Sequence, residues 1–127
     1  MADRQRVSSG STYEPKIGIC RAVRAGDRVL VSGTAPIWPD GSCDPDAGVQ
    51  ARRCFEIIVA ALTELGAEPG DVVRTRMFIT DPGDGDAVGA AHAEVFGDAR
   101  PAATMVVVTG FLDPRWKVEI AAEAQCG

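Results

Sequence analysis

The chain has 127 residues, 46% of them hydrophobic and 24% charged, enough for one domain with a single core and little more. Thirteen basic against eighteen acidic side chains give a net charge of -5, a potential that repels phosphate backbones and argues against nucleic acid as a partner. No apolar run approaches the roughly 20 residues of a membrane helix, and the opening MADRQRVSSGS lacks the apolar core of a secretory signal, so the expectation is a cytoplasmic protein with no membrane partner.

Four cysteines, Cys20, Cys43, Cys54 and Cys126, show no C-x-x-C spacing, and His92 is the one histidine. That pattern supports neither a zinc cluster nor a disulfide framework, so no metal and no cofactor is assigned.

Residues 1–12 are polar and rich in Ser and Gly, and read as a loose arm or the lead into a first strand. The stretch KIGICRAVRAGDRVLVSGT holds two β-prone segments around Ala25-Gly26-Asp27, a hairpin with glycine in its turn. A loop dense in Pro, Gly and Asp follows. From Asp46 to Leu65 the period changes: Ala51, Cys54, Phe55, Ile58, Ala61, Leu62 and Leu65 recur at helical steps, with Gln50, Arg53, Glu56 and Glu64 off that face. Asp46 is the N-cap of this helix and Gly66 its stop.

VVRTRMFITD reads as a strand with Val73, Thr75, Met77 and Ile79 on one face and Arg74 and Arg76 on the other. A shorter helix runs from Asp86 to Phe96 and closes at Gly97. The segments ATMVVVTGFL and KVEIAAEA are the last two strands, joined through the loop DPRW. In order this is ββαβαββ, an α+β domain whose sheet carries two helices on one face. The other face, with Glu119, Ala121 and Glu123 on alternate positions, is then left to be covered by another subunit.

Four stretches, DRVLVSGTAPI, VVRTRMFITD, RPAATMVVV and DPRWKVEIAAEA, resemble in order and spacing the Rid family, the RidA/YjgF-like proteins also called endoribonuclease L-PSP-like. The resemblance spans Tyr13 to Ala124. It implies the chorismate-mutase-like fold, a mostly antiparallel sheet, and a homotrimer with small-molecule clefts between subunits. It also implies hydrolysis of imines or enamines to carbonyl compounds and ammonia, with an arginine gripping a carboxylate and a glutamate placing the water.

Matched position by position, Ser32 and Gly33 keep the family's Ser-Gly pair. Ala103, in Pro101-Ala102-Ala103-Thr104, stands where the gripping arginine belongs, and Arg100 precedes the proline and is not its equivalent. Ala121, in Val118-Glu119-Ile120-Ala121-Ala122, stands where the glutamate of V-E-I-E-A belongs. Ile19 or Cys20 replaces a usual tyrosine, and Gly89 a usual asparagine. The substrate-binding candidates are therefore Ser32, Gly33, Ala103, Thr104 and Ala121.

No catalytic residue carries over directly. Glu119 and Glu123, about 7 Å either side of Ala121 along the strand, are candidates for a shifted water-activating group, or else subunit-interface polarity. Thr104 is a candidate hydrogen-bond donor or a plain β-former. Cys20 is a small buried residue or a nucleophile, His92 a packed or interface residue or a base, and Trp116 a rim of the cleft or a cap on the core. Three functions stay open: a divergent Rid hydrolase for a substrate without an essential carboxylate, a non-catalytic Rid-fold binding protein, and a ribonuclease, against which the net charge of -5 counts.

Overall fold

The computed structural model describes residues 3–127. Strand β1 (Arg4–Val7) is followed by a short helix α1 (Tyr13–Ile17), a hairpin of β2 (Ala22–Ala25) and β3 (Arg28–Thr34), and the long helix α2 (Ala47–Glu64). Then come β4 (Val72–Ile79), α3 (Gly85–Phe96), β5 (Ala102–Val107) and β6 (Val118–Gln125). The six strands form one sheet in the order β1-β2-β3-β6-β4-β5. All pairs are antiparallel except β4 with β5, which run parallel because α3 forms the crossover between them.

Helix α2 begins where expected, the Asp46 carboxylate accepting from Val49 N at 3.0 Å. It ends at Gly66, whose φ of +78° suits glycine, and Arg24 Nη1 donates to the Leu65 carbonyl at 2.7 Å to close that end. Phe55, Ile58 and Leu62 turn from α2 onto Val29, Val31, Val118 and Ile120 of the sheet, and all of these are buried. Helix α3 lies beside α2 over the same face. His92 sits in that seam, its Nε2 2.8 Å from Thr75 Oγ1 and its ring between Phe55 and Phe96. Burial lowers its pKa. It is a packed residue.

Three expectations need correcting. The N-terminal arm is not loose, because Arg4–Val7 pairs with Ala22–Ala25 as an edge strand, and a helix the strand pattern did not suggest follows at Tyr13. Val73 does not share the buried face of Thr75, Met77 and Ile79. A bulge between Val72 and Arg74 turns it outward, 51% exposed, and puts Val72 in the core. Gln50 is wholly buried rather than on the polar face of α2. It accepts from Lys117 N at 2.7 Å and donates to the Asp44 and Arg115 carbonyls at 2.7 and 2.9 Å. Three backbone partners repay its burial, and they tie the DPRW loop to α2.

Candidate functional site

A cavity of about 410 Å³ opens where the segment after β1, the end of β3, the start of β6 and helix α2 meet. Aromatic rings build its walls. Trp116, held in place by the Gln50 contacts on either side of it, is buried and meets Tyr13 edge-on at 6.0 Å, and Trp38 comes from the loop after β3. Ile37, Ile57 and Leu112 add apolar surface.

The charged lining is small: Arg21, Arg53 and Glu119. Arg21 is 7% exposed, and its Nη1 donates to the Gly33 carbonyl at 2.6 Å and to Thr34 Oγ1 at 3.1 Å. Its Nε faces Glu14 Oε2 at 3.5 Å without a proper hydrogen bond. Glu14 is buried beside it and accepts from Ser8 Oγ, Ser9 N and Ser9 Oγ. Burial works against the Glu14 charge, but the serine hydrogen bonds and Arg21 together hold its pKa below the ordinary value. This pair fastens the N-terminal segment to the end of β3.

Glu119 is different. It lies half-buried on β6, and no hydrogen bond to it from the described residues stabilises its charge. Burial raises its pKa above the ordinary carboxylate value, and the nearby Arg21 offsets only part of that. Its carboxylate lies over Gly33, where a Cβ would sit 3.0 Å from Glu119 Oε2. The bulge in β3 between Val31 and Thr34 brings that glycine to the carboxylate. A glycine beside an unpaired acid in an apolar cavity is an arrangement suited to moving a proton.

Within one chain the residues expected around the inter-subunit cleft lie in separate places. Gly33 and Glu119 line the cavity. Ser32 is adjacent, but its hydroxyl donates to the Cys20 carbonyl at 2.8 Å. Ala121 lies on the open sheet face in a recess of about 80 Å³ with Arg74, Arg76 and Glu123. Glu123 is taken up by Arg28 at 2.9 Å and Arg76 at 3.6 Å. Ala103 and Thr104 are exposed on β5, paired in register with Thr75 and Arg76. Strand β5 is three places from β3 in the sheet, about 14 Å at the usual interstrand spacing. Within one chain, Ala103 and Thr104 do not reach Gly33.

Sequence reasoning missed Arg21, Arg53, Glu14, Tyr13 and Trp38. Arg53 falls on the polar side of the α2 pattern, where an arginine reads as solvated, Arg21 and Trp38 lie in segments read as strand and loop, and Tyr13 and Glu14 in a stretch assigned to no element. Among the described residues no group of three His, Cys, Asp or Glu side chains is placed to hold a metal, and no helix is long and apolar enough to cross a membrane.

The family model for Endoribonuclease L-PSP matches residues 13–126. The chain belongs to this family, the Rid proteins. It is 43% identical over 126 residues to the uncharacterized protein SCO2049 of Streptomyces coelicolor, covering 97% of this chain and 92% of that one. It is 32% identical over 108 residues to the 2-iminobutanoate/2-iminopropanoate deaminase of Salmonella typhimurium (82% and 84% covered). To the 3-aminoacrylate deaminase RutC of Acinetobacter baylyi it is 35% identical over 105 residues (81% and 82% covered). The crystal structure of Rv2704 from Mycobacterium tuberculosis, a YjgF/YER057c/UK114 family member, superposes with a TM-score of 0.89 at 41% identity, covering 97% of this chain and 99% of that one. The α+β Rid fold expected from the four sequence stretches is therefore the fold of this chain.

Proposed function

We propose that this Rid protein hydrolyses an imine or enamine to a carbonyl compound and ammonia, with Glu119 as the proton-handling group. The observation that carries this reading is the unpaired, half-buried Glu119 carboxylate of raised pKa over Gly33 in an apolar cavity. An imine carbon is already electrophilic, so the demand on the protein is to orient one water and move protons. Glu119 takes a proton from water as the water oxygen adds to the imine carbon, and passes it to the imine nitrogen, giving a carbinolamine. The carboxylate then takes the carbinolamine hydroxyl proton and hands it to that nitrogen, the C–N bond breaks, and ammonia leaves as the carbonyl forms. The names of the Salmonella and Acinetobacter relatives, an iminobutanoate/iminopropanoate deaminase and an aminoacrylate deaminase, support the same class of chemistry.

The working form in this reading is a homotrimer. Exposed Ile17, Ile19 and Leu112 rim the cavity, while Leu30, Val73, Val106 and Val107 are exposed on the sheet and on edge strand β5. Two separate apolar patches on one chain suit a ring in which β5 of one copy meets the cavity of the next. That arrangement would bring Ala103 and Thr104 to Gly33 and Glu119. Light scattering at micromolar concentration should give three times the 13.3 kDa chain, and a monomer would remove this part of the proposal.

A non-catalytic binding protein is the second reading, favoured by the alanines at 103 and 121. One experiment separates the two. An amino-acid oxidase generates imines in situ, semicarbazide traps those that escape, and the protein is added at increasing concentration. Suppression of the semicarbazone by wild type but not by Glu119→Gln supports the hydrolase. A wild type that never competes with the trap leaves the binding reading.

A further inference from the structure

The two cavity arginines do not stand in equivalent surroundings. Arg21 has its charge answered by Glu14 at 3.5 Å and its Nη1 tied to Gly33 and Thr34, so it is part of the frame. Among the described residues Arg53 is held closely at its base alone, where Nε donates to the Ile37 carbonyl at 2.7 Å. Its one carboxylate neighbour among the described residues is Glu56 at 3.5 Å from Nη1, and the Glu56 side chain is 67% exposed. A contact that long to a solvated side chain holds little. The Arg53 side chain itself is 21% exposed and lines the cavity. The loop carbonyl fixes the direction of the guanidinium and leaves its outer nitrogens for a ligand.

Around this cation the walls are Tyr13, Ile37, Trp38, Ile57 and Trp116. A cavity of about 410 Å³ with one available guanidinium fits a ligand with an anionic head and a sizeable apolar body. Glu119 also lines it, and repels a second anion placed beside its own carboxylate, so the head group belongs at the Arg53 side and the reacting carbon at the Glu119 side.

We infer that Arg53 holds the substrate carboxylate in place of the arginine missing at Ala103, and that among the 2-imino acids and enamines of the family's chemistry this cavity takes those with bulky apolar side chains. This rests on the hydrolase reading of the same cavity and replaces the expectation of a substrate without a carboxylate. The reaction balances as before, with water plus imino acid giving 2-oxo acid plus ammonia.

The test is calorimetric titration with 4-methyl-2-oxopentanoate, a product of this class, and with 4-methylpentan-2-one, the same skeleton without the carboxylate. Wild type should bind the acid at least tenfold more tightly than the ketone. Arg53→Met should weaken acid binding roughly ten- to hundredfold, the worth of hydrogen bonds between charged groups, and leave ketone binding unchanged. Arg53→Lys, which keeps the charge but not the fork, should fall between. Arg74→Met, on the open sheet face, should match wild type. The inference is overturned if wild type binds no acid, if it does not distinguish acid from ketone, or if Arg53→Met binds the acid as wild type does. The wild-type comparison decides even where a variant fails to fold. Turnover is scored separately. Arg53-dependent acid binding with no imine hydrolysis sinks the hydrolase and leaves the anchor. Equal hydrolysis of imines with and without a carboxylate, unaffected by Arg53→Met, does the reverse.

Discussion

Glu119 and Glu123 lie four residues apart on β6 and on the same face of the sheet, yet the two ends of that strand treat them differently. Glu123 pairs in register with Leu30 of β3 and Arg74 of β4, and Arg28 and Arg76 reach it from two residues away on those strands. Glu119 pairs with Phe78 on one side, and on the other the β3 bulge presents Gly33 in place of a side chain. The cross-strand neighbours decide what a sheet carboxylate does. Where they are arginines, the charge is consumed at the surface. Where they are a phenylalanine and a glycine, it is left to the cavity.

The largest way to break this comparison is Glu119→Gln. Removing a general acid–base group costs about 10²–10⁴-fold in rate, so hydrolysis should fall by that much in kcat with little change in KM, while Glu123→Gln keeps the wild-type rate. Equal losses in the two variants would end the distinction. The pH profile sharpens it. A base acts when ionised, and burial raises the Glu119 pKa, so kcat/KM should climb with pH through a value above the ordinary 4.5.

Next in size is Glu14→Gln, a change in the frame rather than the site. It leaves Arg21 buried beside a neutral amide, and loss of one partner from a buried pair costs about 3–5 kcal/mol, readable by urea denaturation at pH 7. The folded Glu14 pKa is depressed, so its stabilisation is present above the unfolded value of 4.5 and is lost as pH falls through the lower folded one. Wild type should therefore lose stability in that acid window and Glu14→Gln should lose less there. Parallel losses in the two proteins would show that Glu14 is not the group responsible.

These residues also mark what the sequence could and could not disclose. Helix α2, its Asp46 cap and its Gly66 stop are local features, set by periodicity and by hydrogen bonds within a few residues, and they were legible. So was the alternation along β6, which put Glu119, Ala121 and Glu123 on one face. The bulge at Val73 was not legible, because one extra residue reverses the face and leaves no mark in composition. Nor was the distance between Gly33 and Ala103 within one chain. Strand order β3-β6-β4-β5 separates Gly33 from Ala103, and it follows from pairing between distant segments. Arg21, Glu14 and Arg53 escaped notice for the same reason: each is defined by a partner 7 to 16 residues away in sequence that only the fold supplies.

A smaller test bears on Gly33. Its Cβ position is 3.0 Å from Glu119 Oε2, tight enough that Gly33→Ala must push the carboxylate aside. The fold has no need to change, so thermal stability should hold while kcat drops about tenfold, within the range a misplacement of about 1 Å produces. Unchanged kcat would mean that Glu119 need not lie against the β3 backbone to act.

The smallest expected effect is the stability change of Glu123→Gln. Its ion pairs join side chains that are 57% and 46% exposed on the arginine side, so they are worth about 0–1 kcal/mol and shrink further in salt. Glu119→Gln should move stability the other way. A raised folded pKa means that stability is lost as pH rises through it, so at neutral pH the ionised Glu119 is a cost and the glutamine variant should melt at or above wild type. Opposite signs from two glutamates on one strand face would show that the protein retains Glu119 against its own stability. Stabilisation by Glu123→Gln, or destabilisation by Glu119→Gln, would instead place the unpaired charge at the other end of β6.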